Sequence, residues 1–469
     1  MKMCSIKNLV KLLRFIKIVF FISVLSISKL YAQSFEVALA NAYSNHPLLF
    51  SERIEGKVVT EEVADALSGW EPKVYLDGSL GKRLVTTKVK SKSADTKNNA
   101  PISVGLVVSK KLYDGGKTTQ SVKIADAKFK LSQSKLLLIE NKVLLNAAKS
   151  YFNLIEEFSL LEIAIKNNEV IERQLEATRD RYEVGDLTVT DVSQAEARFS
   201  DANANLVKAK ADLDIAKASF FSDIGIEAEK VFYPESLPIL PESIEVFMNN
   251  IAKSNPDIIL ANNVRFLAQQ ELDLALKEMK PSVDLQASVN QAWDPNTFFE
   301  EQRYFDVSAN LSWPLYKGGK EKSLIRKFNQ KLMKSRTEID NSIRIVAEQA
   351  MIIWNKIESL KSQITAFKAS IHANEVALEG VIQEENVGAR TVIDVLDAEN
   401  ELFRARANLI KVNTELYIAN YELLALSGKM NARSLNLPVE SFYNNEDYYN
   451  SIKGGSNSDS NMSILDLIK

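Results

Sequence analysis

Hydrophobic positions recur along this chain at two periods. Between 305 and 315, Phe305, Val307, Ala309, Leu311, Trp313 and Leu315 alternate with Asp306, Ser308, Asn310, Ser312 and Pro314. Val283, Leu285, Ala287, Val289 and Trp293 alternate likewise with Ser282, Asp284, Gln286, Ser288 and Asn290, with Gln291 the one break. Ile102, Val104, Leu106 and Val108 alternate with Ser103, Gly105, Val107 and Ser109. Period two predicts strands. Each run is ~11 residues, the length of a tilted transmembrane strand.

The second period is seven. Ile343, Ala350, Ile357, Ile364, Ile371 and Leu378 are spaced at heptad intervals, as are Leu154, Leu161, Asn168, Leu175 and Tyr182. Thr118 to Val184 contains no Pro and no Gly over 67 residues, which predicts a helix ~100 Å long. Heptads predict helices supercoiled against neighbours.

The two patterns occur twice. "WEPKVYLDGSL" around Pro72 matches "MKPSVDLQASV" around Pro281, 209 residues on. "LYDGGK" (112–117) matches "LYKGGK" (315–320), and Gly225 matches Gly428, both at a spacing of 203. The spacing changes once, by six residues, between 80 and 112, which places a loop of unequal length there. Each half therefore reads as helix, strand, loop, strand, Gly-Gly turn, long helix, tip, helix. The expected divisions are a signal peptide over 1–32, a first repeat over 33–242, a second over 243–438, and a poorly ordered Asn/Ser/Asp/Gly-rich tail over 439–469. The fold class expected is mostly α with membrane β: a two-fold internal repeat carrying four barrel strands and long coiled-coil helices.

The most specific repeated motif is the tip. "VGDLTVTDV" (184–192) returns as "VGARTVIDV" (387–395). Gly185 and Gly388 supply the positive φ that a tight reversal needs. Thr188 and Thr391 precede Asp191 and Asp394 by three residues, the spacing of a capping box. Capping alone accounts for both acids. The second half adds Asp397, three residues after Asp394 and on the same helix face. If several copies share an axis, those carboxylates form a ring with raised pKa values or bound cations; otherwise they are an exposed acidic pair. Val184, Leu187, Val387 and Val392 are apolar positions offered at the tips to a partner hairpin.

Aromatic residues gather at the strand ends (Trp70, Tyr113, Trp293, Tyr304, Trp313, Tyr316), as at a membrane interface. Four strands cannot close a barrel, and lipid tolerates no open edge. Two copies give eight strands, too narrow for a pore; three give twelve. The expected assembly is a homotrimer whose shared barrel faces lipid.

Lys2, Lys7, Lys11, Arg14 and Lys17 precede the apolar run "IVFFISVLSI" (18–27), and Ala32 ends a short polar stretch. That is a signal-peptide pattern, and it carries the only cysteine, Cys4. The remaining chain has 52 basic and 61 acidic residues, a net charge of −9, which points away from a nucleic-acid partner. Without cysteine, it excludes disulfides, thiolate metal sites and a Cys nucleophile. His46 and His372 are its only histidines, and no nucleophile, phosphate-loop or metal-ligand motif appears. No enzyme, metal or cofactor is expected.

Paired halves, two strands each, a Gly-Gly entry to a long helix and a "VGxxTxxD" tip resemble the TolC family of outer-membrane efflux and secretion ducts. "SWPLYKGGK" and "VGARTVIDVLDAENELFRARANL" carry the closest likeness, within a resemblance spanning residues 34 to 437. It implies a trimer with a 12-stranded outer-membrane barrel and an α-helical periplasmic tunnel, serving a tripartite efflux pump or type I secretion system as a passive duct. It implies docking to a periplasmic adaptor and an inner-membrane transporter. It places Asp394 and Asp397 in an acidic ring at the periplasmic entrance, and Arg390 in polar contacts to the other hairpin, where Asp191 lies. Glu385 departs from the Tyr common there, which alters the closing network. The competing reading is a periplasmic coiled-coil protein without a pore.

Overall fold

The computed structural model describes residues 34–454 except 89, 91–94, 229–230, 235–236, 239–240 and 297. The expected signal peptide lies outside them. Nine helices and six strands are formed among the described residues: α1 (Phe35–Asn45), α2 (Pro47–Ser68), β1 (Lys73–Leu80), β2 (Arg83–Thr87), β3 (Asp95–Asn99), β4 (Ile102–Tyr113), α3 (Lys117–Glu183), α4 (Val189–Ile224), α5 (Ile244–Ser254), α6 (Pro256–Lys277), β5 (Ser282–Trp293), β6 (Glu301–Ser312), α7 (Lys320–Asn386), α8 (Val392–Leu426) and α9 (Glu446–Lys453). The repeat spacing reappears in the element bounds: α2 and α6 start 209 residues apart, α3 and α7 start 203 apart. α3 and α7 each run 67 residues. No described helix is long and apolar enough to cross a membrane.

The chain divides into two compact units. One comprises residues 51–138, 256–345 and 443–469. Its sheet has the order β1-β4-β5-β6, antiparallel throughout. The register aligns the apolar residues in rows across all four strands. Leu76 faces Leu106, Leu106 faces Val289, and Val289 faces Phe305. Val74, Val108, Ala287 and Val307 form the next row. These side chains stay largely exposed, Leu76 at 76% and Phe305 at 72%, where a soluble sheet would bury them. The alternate positions are mostly polar, Asp77, Asn290 and Asp306 among them. β1 and β6 are edges, each with one partner.

Two strands were not expected. β2 and β3 pair as a separate hairpin, Arg83 opposite Asn99 and Thr87 opposite Asp95, within the interval where the two halves differ in length. Its sequence lacks the apolar alternation that betrays the other strands. The tail also departs from expectation: within the segment read as poorly ordered, α9 is a docked helix. Tyr449 stacks on Phe129 with centroids 4.1 Å apart and donates to Asp126 at 2.7 Å. Asn445 Nδ2 donates to Thr60 Oγ1 at 3.1 Å. Three aromatic side chains (Tyr443, Tyr448, Tyr449) give this polar segment the contact area that its overall composition hides.

The other unit comprises residues 1–50, 139–255 and 346–442. Its core is aromatic. Phe35 of α1 packs on Tyr151, Phe152 and Tyr421 with centroids 4.9–5.2 Å apart, and Tyr233 packs on Tyr417 in a tilted pair at 4.6 Å. The last carbonyls of α8 are satisfied by side-chain amides: Asn141 donates to Ala425 O and Asn255 to Leu426 O, both at 2.9 Å. The heptad seam is buried at Ala350 and Ile357 (0% and 2% exposed) and half-buried at Ile364, Ile371 and Leu378. In the first half Leu154 and Leu175 are buried, whereas Tyr182 is 43% exposed.

Candidate functional site: the helix-hairpin tips

Both hairpins turn through the same backbone geometry. Gly185 has φ +84 and Gly388 φ +75. Nothing lies within 4 Å of a Cβ built on either, so the requirement for glycine comes from the dihedral alone. Gly185 N donates to Tyr182 O and Asp186 N to Arg181 O, each at 2.9 Å. Gly388 N and Ala389 N repeat this onto Glu385 O and Glu384 O. These paired bonds close the helix C-termini.

The return helices then start at two complete capping boxes. Asp191 Oδ2 accepts from Thr188 N (2.8 Å) and Thr188 Oγ1 (2.7 Å), and Thr188 Oγ1 accepts from Asp191 N (3.3 Å). Asp394 and Thr391 repeat the arrangement at 2.9, 2.8 and 3.4 Å. The backbone and side-chain bonds from Thr188 and Thr391 hold both carboxyls below the usual aspartate range. Both acids are therefore engaged, as ionised acceptors, in starting a helix.

The tips carry ion pairs of opposite polarity. Arg181 Nε bonds Asp186 Oδ2 at 2.9 Å across the first turn. Arg390 Nε bonds Glu384 Oε2 at 2.9 Å across the second and stands 3.9 Å from Asp394. Arg181 and Glu384 are equivalent positions, 203 apart, so the repeat exchanges anion for cation. The resemblance directs Arg390 toward the other hairpin; here its ion pairs are with Glu384 and Asp394, both within its own hairpin, because Glu384 lies closest across the turn.

The links between hairpins come from other residues. Arg181 also bonds Glu385, whose side chain is 10% exposed. Arg198 of α4 bonds Asp397 of α8 at 2.5 Å. Glu385 is thus engaged in an ion pair, and Asp397 is matched by a cation within its own chain. Asp394 and Asp397 do not act as a bare pair of carboxylates here.

Apolar packing joins the hairpins at the same level. Ile171, Leu175, Ala195, Ala202, Val392 and Leu396 form one buried cluster, with Leu187 and Phe199 packed against it. Val392 is 5% exposed. It is therefore not an offered surface: the first turn of α8 points it into the cluster, and Leu187 turns the same way. Val184 and Val387 are exposed at 80% and 79%. Beside the cluster is a cleft of ≈450 Å3 whose lining includes Thr178, Arg181, Glu385 and Glu399. Burial pushes the Glu399 carboxyl up, against the opposing pull of Arg406 and Arg173.

Comparison with known proteins places this architecture. A family model described as "Outer membrane efflux protein" matches residues 38–225 and 248–429, one stretch in each half. The chain belongs to the outer membrane efflux protein family. It is 28% identical over 417 residues to outer membrane efflux protein BepC of Brucella suis biovar 1, covering 89% of this chain and 90% of BepC. It is 24% identical to outer membrane protein TolC of Vibrio cholerae, covering 87% and 93%. The crystal structure of the outer membrane protein VceC from Vibrio cholerae superposes with a TM-score of 0.71 at 16% identity, covering 84% of this chain and 96% of VceC. This efflux protein is an outer-membrane exit channel with a periplasmic helical tunnel, and the family is one of transport rather than catalysis. The pore-less rod is set aside.

Sequence reasoning located the tips and missed three of their working residues: Arg181, Glu385 as a partner rather than a gap, and Arg198. The usable signal for two of them was the exchange of charge between repeat-equivalent positions, Arg181 with Glu384 and Arg198 with Glu401.

Proposed function

We propose that three copies of this channel protein close one 12-stranded barrel, and that their six hairpins form the periplasmic entrance of a passive duct. One observation carries the reading: a four-stranded sheet whose outer strands each keep an unpaired edge, beneath apolar rows exposed on one face. Lipid cannot satisfy those edges. Three sheets of four strands give a barrel wide enough to conduct, with Asp77 and Asp306 on the face turned to water.

At the entrance, Gly185, Gly388, Thr188 and Thr391 shape the turns, and Asp191 and Asp394 start the return helices. Arg390 stiffens its own turn. Asp397 with Arg198, and Glu385 with Arg181, hold the two hairpins of one chain together in the closed state. Val184 and Val387 are the apolar contacts for a periplasmic adaptor that couples the duct to an inner-membrane transporter. Leu187 and Val392 support them from within. The divisions at 33–242 and 243–438 are the two repeats that alternate around the ring.

The test is the mass of the mature protein extracted from outer membranes in mild detergent, corrected for bound detergent. Three chains are expected. A single chain, or protein that stays in solution without detergent, overturns the shared barrel.

A further inference from the structure

The sheet has two ends of different chemistry. α2, α3, α6 and α7 all join it at one end, through the residues before β1 and β5 and after β4 and β6. With the helices in the periplasm, the connections β1–β4 and β5–β6 lie at the cell exterior. The two halves of the repeat differ most in these connections. The first is the β2–β3 hairpin, and residues 82–97 hold six Lys or Arg against one acid, Asp95. That concentration stands out in a mature chain of net charge −9. Lys82, Arg83, Lys88 and Lys90 are all exposed.

The second connection is short and aromatic. Asn296 Oδ1 accepts from Phe298 N at 2.9 Å and Phe299 N at 3.2 Å. This turn presents Phe298 and Phe299 at 85% and 56% exposure. One residue joins the two loops. Asp294, with φ +47, accepts from Asn99 Nδ2 and Ala100 N, both at 2.6 Å. The basic hairpin and the aromatic turn are thus tied into one edge.

The apolar rows end at this edge. On the face carrying Phe305 and Val307, the next positions outward are Arg303 opposite Gln291, then Glu301 opposite Trp293. Glu301 bonds Arg303 at 2.8 Å and Gln291 at 2.5 Å. Paired polar groups beside a tryptophan are what the headgroup level of a bilayer selects. Beyond that level come the cations, and beside them two exposed phenylalanines.

We infer that this outer edge binds a phosphate-bearing glycolipid of the outer leaflet, with Lys82, Arg83, Lys88 and Lys90 on its phosphates and Phe298 and Phe299 against its sugar rings. Charge complementarity selects the phosphates. The aromatic pair at the same edge offers flat apolar faces to sugar rings, which selects a glycolipid over a soluble polyanion. The inference requires the sheet to sit in the outer membrane and is independent of how many chains close the barrel.

The experiment titrates the full-length channel in mild detergent with bis-phosphorylated lipid A, with the same lipid lacking both phosphates, and with inositol hexakisphosphate, counting bound molecules by native mass spectrometry. Bis-phosphorylated lipid A is expected to bind at least about tenfold more tightly than the other two, since each cation near a charged surface contributes separately. The K82Q/R83Q/K88Q/K90Q variant should lose that preference, and F298S/F299S should weaken lipid binding while leaving the weak binding of the hexakisphosphate unchanged. An unchanged oligomeric mass for each variant confirms that the barrel still assembles. Equal binding of the dephosphorylated lipid, an unaffected quadruple variant, or hexakisphosphate binding as tight as lipid A would each overturn the assignment.

Discussion

Arg181 of the first hairpin donates to Glu385 of the second while also holding Asp186 of its own turn. One guanidinium therefore stiffens a tip and ties it to its neighbour. Bidentate donors suit this double task, and lysine would not replace it. The carboxylate is nearly shielded, with 10% of its side chain exposed, whereas the guanidinium is 38% exposed. Losing the cation strands a nearly buried anion.

Replacing Arg181 with Ala is accordingly expected to loosen the closed tip by about 1–3 kcal/mol, raising closed-state conductance in planar bilayers several-fold or more. The reciprocal pair R181E/E385R should restore part of the closure. Restoration stays partial because Glu at 181 would face Asp186. Conductance unchanged in R181A would remove this pair from the gate.

Much of this architecture is legible in the sequence because it repeats. A strand register that aligns Leu76, Leu106, Val289 and Phe305 in one row is already implied by alternation. Equal lengths for α3 and α7 follow from matched spacing with no insertion. What escaped is what depends on side-chain direction at a turn. Val392 looks like a tip residue by position, yet the first turn of α8 aims it at Leu396 and Ile171. Arg390 has several acids within reach in sequence, and only the fold chooses Glu384. The strands of the β2–β3 hairpin have Leu84 and Val85 as their only apolar residues, adjacent in sequence, so period-two hydrophobicity could not mark it. α9 is hidden by its Asn-rich surroundings, although three tyrosines supply its contacts.

The capping boxes predict a local effect. Thr188→Ala and Thr391→Ala should each cost about 1 kcal/mol, seen as faster amide hydrogen exchange in the first turns of α4 and α8. The effect should depend on pH with a defined sign. Asp191 and Asp394 have carboxyls held below their ordinary range by bonds from the same threonines. Their stabilisation is present above the ordinary aspartate pKa and disappears as pH falls through the depressed value. Protection in those turns, measured relative to the intrinsic exchange rate at each pH, should fall in strong acid in the native protein and less so in the double Thr variant. An equal fall in both would assign the acid response elsewhere.

Tyr449 gives the tail helix its anchor. Its ring stacks on Phe129 and its hydroxyl bonds Asp126. Tyr449→Ala should cost about 1–3 kcal/mol from lost stacking and the broken hydrogen bond. Limited proteolysis should then cut the segment after Phe442 well before the helices are attacked. A cleavage rate equal to that of the native protein would show that α9 is held by its other contacts.

Glu399 supplies the opposite pH dependence. It lines the cleft between the hairpins, and burial raises its carboxyl despite Arg406 and Arg173. A carboxyl with a raised folded pKa favours the fold when protonated. Its contribution is complete below the unfolded pKa and is lost as pH rises through the folded one. As pH rises through the raised folded value, the native channel comes to carry a carboxylate where the fold prefers a neutral group. Glu399→Gln keeps the shape without the charge. Its thermal midpoint should exceed the native one by about 1–3 °C near neutral pH, and the difference should shrink as the pH approaches 4. The caps at Asp191 and Asp394 titrate below the ordinary aspartate range, so they do not mask the trend. A variant less stable than the native channel at neutral pH would mean that the arginines outweigh burial, and that Glu399 is a structural anion of the cleft.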